Sequence, residues 1–126
     1  MIETVSAIIF TVLTVIIIIF QGCLVAGMPW GTASMGGKFP GKYPPKMRIV
    51  AVINMIILFF IALIVLIRAD ILVSQLMPFS KIAIWFVIIY SGIGTVLNTI
   101  TPSKIERIWA PVAGIQLITS IIVALS

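Results

Sequence analysis

The sequence predicts an all-α membrane protein: a four-transmembrane-helix up-down bundle with a long Gly/Pro-rich loop between helices one and two. Three observations lead there. Of the 126 residues, 62% are hydrophobic and 9% are charged, and the mean hydropathy is +1.34. A soluble domain is about 45–50% apolar and about 25% charged, and a chain this short has too small an interior to hide the surplus. The apolar residues gather into four runs, at about 4–26, 49–68, 81–98 and 107–125, each near the ~20 residues that cross a bilayer as a helix. Between the first two runs stands GMPWGTASMGGKFPGKYPPKMR, Gly27 to Arg48, broken throughout by Gly and Pro.

The first run is longer than a signal-peptide core, and it follows Met1, Ile2 and Glu3 instead of a basic segment, so it is expected to be a retained span. Its many Ile and Val do not argue for strands. Helices are the plausible spanning element here, because each backbone polar group must be satisfied inside its own segment.

The 27–48 loop holds Pro29, Gly31, Gly36, Gly37, Pro40, Gly41, Pro44 and Pro45, residues that favour successive turns. Connections of this length are uncommon and are either functional or disordered. Trp30, Met35, Phe39, Tyr43 and Met47 give the loop side chains to pack with, which favours order. The second connection, ADILVSQLMPFS, is partly apolar and is expected to continue span two for a turn or to lie in the interface. The third, NTITPSKIERIWAP, carries a helix-start signature: Thr101 or Ser103 as cap, Pro102 suited to a first turn, and Glu106 three residues after Ser103. Pro111 lies close enough to the start of the last span to be tolerated.

Charge predicts orientation. Lys38, Lys42, Lys46, Arg48, Lys104 and Arg107 lie in the 27–48 and 99–107 loops, against Arg68 and Lys81 at the opposite end. The positive-inside rule makes the two loops cytoplasmic and leaves both termini outside. Trp30, Trp85 and Trp109 fall near predicted span ends, where amphipathic rings prefer to sit.

Each span brings one carboxamide to the loop half of the membrane: Gln21, Asn54, Asn98 and Gln116. Asn54 lies about 9 Å beyond Arg48 at the helical rise per residue, and Gln116 about 12 Å into span four. Two readings are open. The amides are interhelical glue, as small and amide-bearing residues commonly are in membranes, or they line a polar cavity open to the cytoplasm. In the second reading Trp30, Lys38 and Arg48 form its lid. Glycine-rich turns expose N–H groups that cradle anions. With the basic residues nearby, including Arg107, an anionic ligand such as a lipid headgroup or phosphorylated metabolite is conceivable, although positive charge on this face is also what topology requires. Glu106 is the only carboxylate on this face, and a contact to Arg48 or Lys46 would lock the two loops together.

Other classes find little support. There is no His, a single Cys, and no acid or Lys in the middle of any span. No catalytic set, metal site or cofactor site is therefore expected, and a proton-coupled pump lacks its carboxylate. GGKFPGK is not a phosphate-binding P-loop. The basic residues hug the span ends, so nucleic acid is not an expected partner.

The segments AGMPWGTASMGGKFPGKYPPKMRIVAVI and NTITPSKIERIWAP resemble those of a family of small uncharacterised bacterial four-helix integral membrane proteins. Its members have a similar Pro-Trp-Gly, Gly-Gly, Pro-Gly, Pro, Arg pattern in the first loop and similar Asn, Ser, Glu-Arg and Trp-Pro positions in the third. The resemblance implies a multi-pass protein of a bacterial plasma (inner) membrane, and no activity. The function expected from the residues is binding, and conceivably transport, of a small or lipidic ligand from the cytoplasmic side. The alternative is a regulatory or partner subunit of a membrane complex, docking through the 27–48 loop. Membrane lipid, a second copy of the chain or another membrane protein are the expected partners.

Overall fold

A computed structural model describes all 126 residues. It is all-helical, with α1 at Ile2–Val25, α2 at Pro45–Arg68, α3 at Met77–Ile100 and α4 at Trp109–Leu125. Four helices are long and apolar enough to cross a membrane. A helix of 24 residues is about 36 Å long, against a hydrocarbon thickness of about 30 Å. The outward faces carry large exposed apolar side chains such as Ile16, Ile56, Phe60, Phe86 and Ile118, a surface suited to hydrocarbon.

The contacts give the direction of each helix. Phe20 near the end of α1 stacks on Trp109 at the start of α4, with ring centroids 4.8 Å apart. Ala7 near the start of α1 shares a core with Val123 near the end of α4. Arg68, closing α2, donates to the carbonyls of Ala124 and Ser126 at 3.2 and 2.8 Å. The helices therefore alternate in direction around a ring, with α1–α2, α2–α3, α3–α4 and α4–α1 as neighbours. Small residues set the closest approach. Gly94 faces Ala113 and Gly114 faces Thr95, so α3 and α4 pack without intervening bulk.

Local chemistry explains the boundaries. Gly27, at φ +96, ends α1. Met28 N–H returns to Cys23 O at 3.0 Å and Gly27 N–H to Leu24 O at 3.2 Å, the double bond of a Schellman stop. The helix α2 begins at Pro45, four residues before the 49–68 run, because Pro at the first helical position has no N–H to leave unpaired. The helix α3 extends beyond the 81–98 run at both ends. Pro78 lies in its first turn, so the last residues of ADILVSQLMPFS open this helix.

The bundle is filled unevenly. At the end away from the long loop, Ala7, Phe10, Ile61, Val65, Ile84, Val87 and Val123 form a dry core. At the loop end only Leu24, Tyr43 and Ala51 are fully packed, with Phe20, Phe39 and Met47 against them. Between these two plugs the helices do not close.

Candidate functional site

A cavity of about 820 Å³ occupies the loop half of the bundle, within the roughly 300–1,000 Å³ range of ligand pockets. All four helices contribute to its wall, and Gln21, Asn54, Asn98 and Gln116 all line it. The rest of the wall is largely apolar, including Phe20, Leu58, Ile93 and Leu97. The helices α2 and α3 make the sparsest contact of the neighbouring pairs. Along that flank the cavity liners Tyr90, Ile93, Leu97 and Ile100 are exposed.

The glue and cavity readings are both realised in part. Gln116 Nε2 donates to Thr14 Oγ1 at 2.8 Å, a buried bond between α4 and α1. Thr14 Oγ1 passes its own proton to Phe10 O at 2.8 Å. Tyr90 Oη donates to Asn54 Oδ1 at 3.2 Å, tying α3 to α2. Asn98 Nδ2 turns back to Gly94 O within its own helix at 2.7 Å. Gln21 is 8% exposed and takes no hydrogen bond from the surrounding helices, so its amide is left to whatever fills the cavity.

The long loop is folded over the cavity. It contains 3-10 turns at Gly31–Ala33 and Met35–Gly37 and is pinched where Gly31 N–H meets Gly41 O at 2.9 Å. A Cβ at Gly31 would stand 1.8 Å from Phe39 O, so only glycine permits the two strands of the loop to approach this closely. Ala33, Ser34, Met35, Gly36, Lys38, Phe39 and Tyr43 form the roof.

The roof is fastened to the third connection. Glu106 accepts from Gly36 N–H at 3.0 Å and from the Thr101 hydroxyl. Ser103 Oγ donates to Thr32 O, and Trp109 Nε1 to Ala33 O at 3.1 Å. Gly36 and Gly37 have φ of +66 and +74, but only Gly36 N–H meets the carboxylate; Gly37 N–H goes to Ser34 O at 2.9 Å and Lys38 N–H to Met35 O at 3.2 Å, so the expected anion-binding nest of successive N–H groups does not form. Glu106 thus does join the two loops, but through the main-chain N–H of Gly36, with neither Arg48 nor Lys46 as its partner. The predicted capping box is half formed: Glu106 N–H reaches Ser103 Oγ at 3.4 Å, while the carboxylate is committed to the loop.

The remaining predicted residues divide. Lys38 and Glu106 line the cavity; Trp30, Arg48 and Arg107 do not. The Trp30 side chain is 43% exposed. Arg48 Nε donates to Tyr43 O at 2.9 Å, and Arg107 Nε to Thr101 O at 3.1 Å. Arg48 braces the end of the lid and Arg107 the third connection, each by holding a backbone carbonyl, and neither is part of the wall. Trp109, expected at the interface, is turned inward onto Phe20.

Sequence reading missed Tyr43, Trp109, Thr101 and Tyr90 as liners. Tyr43 is the most informative. It is 2% exposed, yet its hydroxyl is a buried side-chain polar atom with no hydrogen-bond partner. Burial pushes the phenol above its usual pKa, against an opposing pull from Ser34 and with the Glu106 charge adding to the rise. Ser34 is the neighbour whose hydroxyl lowers that pKa as a hydrogen-bond partner does, although the two groups fall outside hydrogen-bond geometry. For Tyr43 the sequence signal was its position in a loop otherwise dominated by Gly and Pro; Tyr90 lies within α3, where only the rotation of the helix turns it to the cavity.

Comparison with known proteins adds no relative: no family model, curated protein or solved structure matches this chain.

Proposed function

We propose that the protein is a multi-pass membrane protein, of the bacterial plasma membrane as its loop motifs suggest, that binds an amphiphilic or lipidic ligand under the 27–48 lid. The basic loops face the cytoplasm and the ligand enters from that half of the bilayer. One observation carries the reading: the lid, the Glu106 lock and the four carboxamides converge on a single cavity of about 820 Å³. A bundle stabilised by amide glue alone has no need of a hollow, because unfilled space forfeits dispersion contacts. The mixed wall, mostly apolar with a few polar groups, suits a ligand of the same mixed character. Phe39 and Tyr43, side chains that a docking surface would present outward, are packed inward, which favours ligand binding over docking of a partner through this loop.

The test is thermal unfolding of the purified chain in detergent, with and without added phospholipid. Lipid is expected to raise the Tm of the native chain. The Asn54→Leu/Asn98→Leu double variant is expected to lose most of that rise, because it removes two polar groups from the wall and adds bulk. An equal lipid response in the double variant would count against the cavity as the binding site.

A further inference from the structure

We infer that the ligand is an anionic lipid, held with its headgroup acceptor beneath the lid between Tyr43 and Lys38 and its acyl chain along the flank between α2 and α3. The inference rests on the ligand-binding reading of the cavity and adds to it the chemistry and direction of the occupant.

Three observations converge. First, the charged groups of the wall lie at one end. Lys38 and Glu106 line it at the lid with Tyr43, Ser34 and Thr101, while the part along α2 and α3 combines Leu58, Ile93 and Leu97 with the neutral Asn54–Tyr90 pair. A charged headgroup therefore has its place at the lid and an acyl chain along the flank. Second, the Tyr43 hydroxyl has no partner although the side chain is 2% exposed. Native structures rarely leave such a group unpaired, and a donor without an acceptor at the polar end of a cavity points to an acceptor that arrives with a ligand. Ser34 and Glu106, which line the cavity, act on this hydroxyl, so it sits at the headgroup end. Arg48 holds the Tyr43 carbonyl at 2.9 Å and so fixes the residue in place.

Third, Lys38 is the one charged liner not already engaged within the protein. Glu106 is the carboxylate of the lid, and it is already engaged by Gly36 N–H and the Thr101 hydroxyl. Arg48 and Arg107 are tied to backbone carbonyls. Lys38, an exposed cavity liner, forms no ion pair within the chain, whose single ion pair joins the amino terminus to Glu3. A phosphate-bearing headgroup can take the Lys38 ammonium and the Tyr43 hydroxyl together. The exposed flank at Tyr90, Ile93, Leu97 and Ile100 gives its chain a path from the surrounding bilayer.

The experiment uses the full chain with Trp109 as its single tryptophan, made by Trp30→Phe and Trp85→Phe. It is reconstituted in phosphatidylcholine nanodiscs containing equal mole fractions of chain-brominated phosphatidylglycerol or chain-brominated phosphatidylcholine. Bromine quenches an indole only at short range, and Trp109 lines the cavity. The brominated anionic lipid is expected to quench Trp109 more strongly than the zwitterionic one. Tyr43→Phe is expected to weaken its apparent affinity by roughly tenfold, the factor that one hydrogen bond to a charged acceptor supplies, while leaving the lipid-free Tm equal or higher. Lys38→Gln should abolish the preference for the anionic headgroup.

Equal quenching by the two lipids, an unchanged affinity in Tyr43→Phe, or an unchanged preference in Lys38→Gln overturns this inference and leaves lipid binding standing. No quenching by either lipid overturns the cavity reading itself. Competition by inorganic phosphate as effective as that by the lipid would assign the site to a soluble anion and overturn the lipid assignment.

Discussion

Removing the Glu106 side chain should open the lid while leaving the bundle folded. The carboxylate accepts one hydrogen bond from Gly36 N–H at 3.0 Å and one from the Thr101 hydroxyl, and Thr101 Oγ1 in turn accepts from Ser103 N–H at 3.2 Å. A hydrogen bond to a charged group contributes about 1.5–3 kcal/mol net. Only the Gly36 bond crosses from the third connection to the lid; the site is half-buried, so the lower part of that range applies and the bond is worth roughly 1.5 kcal/mol. At about 1.4 kcal/mol per decade, Glu106→Ala should raise the open population of the lid by about tenfold. Ser103–Thr32 and Trp109–Ala33 remain, and the dry core at the far end is untouched, so the global Tm should fall by less than the lid opens. Limited trypsinolysis in detergent reads this directly. Lys38 and Lys42 are exposed but sit in a folded loop, and when opening is fast relative to cleavage the rate follows the open population. Glu106→Gln, which keeps an acceptor oxygen without the charge, should fall between the two. Cleavage of Glu106→Ala at the native rate would refute the idea that this carboxylate fastens the lid.

Gly31→Ala places a Cβ at 1.8 Å from Phe39 O and 2.8 Å from Gly41 O. Backbone cannot yield as a side chain can, so the pinch must open, at about 1–3 kcal/mol for the overpacking plus about 1 kcal/mol for the lost Gly31–Gly41 bond; accelerated trypsinolysis at Lys38 checks it. Gln116→Leu should lower the Tm in detergent by the equivalent of about 0.6–2 kcal/mol, since it removes the α4–α1 bond to Thr14; a stability at or above native would show that the amide costs more to bury than its bond returns. Alkaline pH supplies a signed test of Tyr43. Its folded-state pKa is raised above the ordinary value of 10.0 by burial, so the unfolded chain loses this proton first as pH rises. The stability contributed is therefore full below about pH 10 and is lost as pH climbs through the folded pKa. Tyr43→Phe should flatten that part of the Tm–pH curve, and an unchanged alkaline slope would contradict the burial.

Much of the architecture was legible beforehand because hydrocarbon-compatible helices are specified by composition and length, which any single chain displays. The four apolar runs appear as four long helices, and one carboxamide per run lines the same cavity. Helix ends were less legible. Pro45 and Pro78 read as chain breaks, yet each sits in the first turn of a helix, where the missing N–H costs nothing.

By itself the sequence determined the solvent-facing chemistry of this protein: how many apolar segments there are, how positive charge divides between the ends, and where glycine allows the loop to fold tightly. Those properties belong to residues one at a time or to their neighbours along the chain. Only the tertiary structure decided how each polar group was used. It turned Trp109 inward onto Phe20, gave Glu106 to Gly36 and not to a basic side chain, set Gln116 on Thr14 and left the Tyr43 hydroxyl unpaired. Each of those outcomes depends on the rotation of a helix about its axis and on the path of a loop across the bundle. Both are set by contacts between residues far apart in the chain, such as Gly36 and Glu106, and spacing along the sequence does not encode them.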